Sequence, residues 1–129
     1  MDRHVAYDSP NVTEVSKSRY ATPLTILPCV YVAELDKGKF YVGITHHFNE
    51  VVSNMRYGLG PRWTREYPLK RIIEVNIDGN VHSLRQFAVY YIIHFGHDNV
   101  RSSIPGHHSL DLASPPPEFY KEWVERFST

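Results

Sequence analysis

The chain has 129 residues, 42% of them hydrophobic, and its 14 Lys and Arg balance 14 Asp and Glu, so the net charge is zero with the eight histidines neutral. That length fits one domain with a core of ordinary size, no apolar run is long enough to span a bilayer, and neutrality excludes a strongly basic, non-specific nucleic-acid binder. Cys29 stands alone, which excludes an internal disulfide and points to a reducing, intracellular compartment, nucleus or cytoplasm.

Residues 1–23 are polar, aperiodic and end near Pro23, so they are expected to form an arm outside the core. Met1–Asp2–Arg3–His4 lacks the apolar segment of a secretory signal. The domain proper is expected over 24–104. Residues 24–35 are almost continuously apolar and predict a central strand, with Cys29 as a packing thiol. Asp36–Lys37–Gly38–Lys39 predicts a tight turn into a second strand, Phe40 to Ile44, making a hairpin. A first helix is expected from 47 to 57, with Phe48, Val51, Val52 and Met55 on one face, Thr45 as N-cap and Gly58 as stop.

A loop rich in Gly, Pro and Arg is expected from there to Pro68. Between Arg56 and Arg71 the chain carries Arg56, Arg62, Arg65, Lys70 and Arg71 against Glu66 alone. With Trp63 and Tyr67 interleaved, this stretch could contact phosphates and stack on an unpaired base. The plain alternative has Trp63 and Tyr67 closing the core while the arginines are solvated. Leu69 to Ile77 predicts a third strand, Asp78–Gly79 a turn, and Val81 to Phe95 a long apolar helix ending at Gly96.

Residues 105–129 combine a linker at Pro115–Pro116–Pro117 with an amphipathic helix expected over 118–127. Its Phe119, Tyr120, Trp123 and Phe127 either pack back on the domain or dock a protein partner. The histidines His46, His47, His94, His97, His107 and His108 are read as solvent-facing or capping, since zinc sites need matched His or Cys spacing. No metal site is assigned, and nothing has the spacing of a nucleophile elbow or a phosphate loop.

Four stretches occur in an informative order. They are Val30–Tyr31–Val32–Ala33–Glu34–Leu35, Gly38–Lys39–Phe40–Tyr41–Val42–Gly43–Ile44–Thr45, Arg62–Trp63–Thr64–Arg65–Glu66–Tyr67 and Phe95–Gly96–His97–Asp98–Asn99–Val100–Arg101. Together they resemble the GIY-YIG nuclease family. The resemblance implies an α+β fold, a three-stranded antiparallel sheet flanked by helices. It also implies DNA cleavage with one divalent metal, two motif tyrosines beside the scissile phosphate, an arginine on the first helix, and a glutamate on a later helix that holds the metal. Tyr31, Tyr41 and Asn99 match the family's tyrosines and asparagine.

The arginine position falls at Val51, beside Glu50, and the histidine a turn later at Met55. The glutamate position falls near Phe87, and no Asp or Glu occurs from Gly79 to His97. A metal clamp and a fixed cation stabilise charge that develops in the transition state, and both are missing. The expectation is a vestigial site in a nuclease-fold module that binds nucleic acid or protein, without a cofactor. The alternatives are an active structure-specific endonuclease using Mg²⁺, and an assembly protein without nucleic acid.

Overall fold

The computed structural model describes residues 27–128, with backbone alone at 127–128. The expected arm at 1–23, the first residues of the expected first strand at 24–26, and the Phe127 side chain therefore lie outside the described residues. The order is β1 (Cys29–Leu35), a 3₁₀ turn (Asp36–Gly38), β2 (Phe40–Thr45), α1 (Phe48–Arg56), α2 (Arg62–Glu66), β3 (Leu69–Ile77), α3 (Val81–Phe95), a second 3₁₀ turn (His97–Asn99), β4 (Val100–Ser102) and α4 (Tyr120–Ser128). The architecture is α+β.

The sheet corrects the three-stranded antiparallel expectation. It has four strands in the order β3-β1-β2-β4 and is mixed. β1 pairs antiparallel with β2 and β3, while β4 runs parallel to β2, with Phe40 opposite Val100 and Tyr41 opposite Arg101. Three residues are too few to show a period. β4 becomes a strand because the free edge of β2 meets it, after the long crossover that parallel pairing requires.

Alternation along β1 and β2 builds two cores. Val30, Val32, Phe40 and Val42 face α3, where Leu84, Ala88, Tyr91 and Ile92 meet them. Tyr31, Ala33, Leu35 and Tyr41 face the other way, towards Val52 and Met55 of α1 and Trp63 of α2. A strand covered on both faces has no polar side, which explains the continuous apolar run that marked β1. Burial of Cys29 in that strand pushes its thiol up to about 12 and makes it a packing group.

Several boundaries moved for local reasons. Thr45 does not cap α1: its hydroxyl accepts the His47 N–H at 2.9 Å, and the helix starts at Phe48. The stretch expected to be a loop contains α2. That helix forms because Trp63 is drawn inside, its indole Nε1–H donating to the Phe40 carbonyl at 2.9 Å, while Thr64 bonds back to the Pro61 carbonyl at 2.8 Å. β3 and α3 keep the expected limits. Asn80 and Ser83 close a reciprocal cap at the start of α3.

α4 starts at Tyr120 and lies against α3. Trp123 is buried, 4.9 Å from the His82 ring, and Phe119 and Tyr120 pack against the α3 core. Of the two expectations for Phe119, Tyr120 and Trp123, packing back on the domain is the one seen: Trp123 is buried, and Phe119 and Tyr120 are half-buried against the core.

Candidate functional site

Tyr31 and Tyr41 reach the same face of the sheet, with ring centroids 6.4 Å apart. They are only 3% and 4% exposed. Tyr31 stands opposite Gly43, and its ring lies across that glycine. A Cβ at position 43 would sit 2.3 Å from the Tyr31 hydroxyl oxygen, so only glycine leaves room for the ring. Phe48 closes the other side, edge-on at 5.9 Å.

Val51, Val52 and Met55 pack against the same cluster. The structure therefore brings the position matched to the family arginine to the tyrosines, but as hydrocarbon. Burial lifts the Tyr31 phenol well above the usual tyrosine range, with Tyr41 adding to it, and lifts Tyr41 to about 12. A phenol that assists a nucleophilic water has to give up or share its proton. Both are pushed the opposite way by desolvation.

Phe87 is elsewhere. It packs against the core on the α3 face, with the sheet between it and the tyrosines. Asn99 is engaged at both ends: its Oδ1 accepts from Lys39 Nζ at 2.8 Å, and its Nδ2 donates to the Phe95 carbonyl at 2.6 Å. It clips the end of α3 to the start of β2. Among the described residues, no group of three or more His, Cys, Asp and Glu could hold a metal ion.

The residues expected to touch nucleic acid divide. Trp63 is fully buried and offers no ring face to a base, so that expectation is corrected. Its planes are occupied within the fold: Tyr67 meets it edge-on at 4.9 Å, and the Arg101 guanidinium lies 4.6 Å from its centroid. Lys70 lies on β3, 4.0 Å from Glu34, which also binds Arg71 at 2.7 Å. Arg62 and Arg65 are exposed and three residues apart, so they neighbour each other on the outer side of α2, while Trp63 and Thr64 point inward. Arg56 ends α1 close by. The corner between the helices is tight, since a Cβ on Gly60 would lie 2.8 Å from Thr64 Oγ1 and 3.0 Å from Met55 Cγ.

A second polar cluster escaped the sequence reading. Arg101 is fully buried, and it donates to the carbonyls of Ser109 (2.8 Å), His97 (2.6 Å), Val100 (2.7 Å) and Asp111 (2.9 Å). Burial lowers its pKa, and the nearby Asp98 and Asp111 oppose that. His107, expected to be solvent-facing or capping, is only 2% exposed, and its Nδ1 pairs with the Ser102 hydroxyl at 2.7 Å. Burial, then His97 and Arg101, bring its pKa down to about 3. Ser102 is also buried and accepts the Ile104 N–H at 3.2 Å, so the pair fastens a loop and presents no nucleophile to solvent. The available signal was Arg101 within Asp98–Asn99–Val100–Arg101, which shows no period and reveals its role only through Trp63.

No helix among the described residues is long and apolar enough to cross a membrane. In comparison with known proteins, no family model, no curated protein and no solved structure matches the chain.

Proposed function

We propose that this protein is a catalytically degenerate domain of GIY-YIG type that binds nucleic acid without cutting it. The motif stretches around Tyr31, Tyr41 and Arg62 to Tyr67 support the family reading. The observation that carries the loss of activity is the sealing of Tyr31 and Tyr41 inside an apolar cluster that includes Val51. Losing a fixed cation or a metal clamp typically lowers a rate by about 10²–10³ each. Here both positions are apolar, and the tyrosines are closed to substrate as well.

Binding is favoured over protein assembly because Trp123 is buried and Phe119 and Tyr120 are half-buried against the domain, whereas Arg62 and Arg65 stay at the surface. The neutral net charge makes such binding salt-sensitive and local. A nicking assay on branched and plain duplex DNA with Mg²⁺ or Mn²⁺ is expected to show no turnover. Turnover abolished by Tyr41→Phe would establish the endonuclease alternative. Gel shifts are expected to weaken with salt and to disappear with Arg62→Ala plus Arg65→Ala.

A further inference from the structure

Two large apolar side chains stand in solvent at the α1–α2 corner. Tyr57 is 78% exposed and Leu59 is 72% exposed, on either side of Gly58, where the chain turns with φ 72. A single exposed apolar residue carries no message. Here there are two, and the backbone that displays them is fixed. The Tyr57 N–H donates to the Ser53 carbonyl at 3.1 Å, Gly58 to Met55 at 3.3 Å, and Leu59 to Asn54 at 2.8 Å. The loop is thus ordered before any ligand arrives, which lowers the entropy lost on binding.

The surrounding charge is cationic. Arg56 precedes Tyr57, Arg62 follows Leu59, and Arg65 lies one turn further on the outer side of α2. With the described residues, neither Arg62 nor Arg65 forms an ion pair. Of the neighbouring acids, Glu50 lies in the first turn of α1, and Glu66 lies one turn after Arg62 on α2, so the arginines outnumber the acids at the corner. A narrow basic strip around one aromatic ring and one aliphatic side chain matches a single polynucleotide strand, whose phosphates and base faces alternate along its length. A bilayer would call for a broader basic face and a larger apolar wedge.

We infer that the α1–α2 corner is a site for single-stranded nucleic acid, with Tyr57 and Leu59 packing on unpaired bases and Arg62 and Arg65 on the phosphates. This rests on the nucleic-acid-binding reading above and moves the stacking role from the buried Trp63 to Tyr57. Paired bases hide their faces, so a duplex can use the arginines but not the ring.

The test uses the full chain and fluorescence anisotropy with two labelled probes, an oligothymidylate of about 20 nucleotides and a duplex of the same length. Combined Tyr57→Ala and Leu59→Ala is expected to weaken the single strand about tenfold or more, and the duplex by less than about twofold. Tyr57→Phe should keep single-strand affinity, since the ring remains. Ultraviolet crosslinking of a bromouridine oligonucleotide to the unaltered protein is expected at Tyr57, which needs no variant. Equal loss on both probes, no loss on the single strand, or crosslinks confined elsewhere would overturn the corner assignment. If the arginine-dependent duplex shift persists while the single strand goes unbound, the corner assignment alone fails. Binding of neither probe removes the nucleic-acid reading too, and capture on phosphatidylserine vesicles lost with the double variant would replace it by a membrane surface.

Discussion

His107 shows how one buried side chain sets a pH response. It stacks on His97 at 5.2 Å and bonds Ser102, the Val100 backbone favours its protonated form, and the Nε2 atom of His97 is buried without a partner among the described residues. Arg101 lies close enough to disfavour a second positive charge, Asp98 acts on His97 in the opposite sense, and His108 adds a smaller unfavourable influence on His107. In the fold, His107 titrates at about 3, against 6.5 for the free side chain. Between those values the unfolded chain binds a proton that the folded chain refuses. The contribution is therefore complete above pH 6.5 and is lost as pH falls towards 3. The slope is about 1.4 kcal/mol per pH unit inside that window. His97, also pulled down by burial, acts with the same sign. Urea unfolding at pH 7 and pH 4 should show a smaller pH dependence for His107→Gln than for the native chain. Parallel stability curves would contradict the assignment.

At the level of elements, β4 and the segment after it hang on one side chain. Arg101 holds carbonyls at 97, 109 and 111 and lies over Trp63, so it ties the last strand to α2. Arg101→Met keeps length and stacking area but strands those carbonyls in a buried place. A loss of about 3–5 kcal/mol is expected in urea unfolding, because several buried acceptors lose their donor at once. Limited proteolysis should then cut first between 103 and 114. The same dependence explains what could be read beforehand. β3 and α3 announce themselves by local pattern, with Ile72, Val75 and Ile77 in one and Leu84, Ala88, Tyr91 and Ile92 in the other. α2 and β4 have five and three residues, and each exists through contacts distant in sequence. Trp63 finds the Phe40 carbonyl, and Val100 finds the edge of β2. No window of sequence contains both partners.

Across the whole molecule, the helices divide their work by face. α1 and α2 seal the tyrosine side, and α3 seals the other with α4 laid against it. Trp123 is buried between His82 of α3 and Phe119, and Phe119 in turn packs against the core that begins at Val30. Trp123→Ala should cost about 3 kcal/mol and lower the melting temperature by roughly 10 °C. A melting curve unchanged by this substitution would mean that α4 contributes no stability in solution. The candidate site was legible as a set of residue types, since Tyr31, Tyr41 and Val51 do meet. It was not legible as an arrangement: burial of Tyr31 depends on a missing Cβ across the hairpin, and the side of the sheet on which Phe87 falls depends on how α3 packs.

That arrangement limits what substitution could build. An arginine introduced at 51 would arrive beside a ring locked over Gly43, and a glutamate introduced at 87 would emerge behind the sheet, one packing layer of about 10 Å away. The two introduced charges could not converge on a common ion. No pair of charged substitutions at these two positions could build a shared cation site, which leaves the outer surface of the molecule as the place where new chemistry could be added.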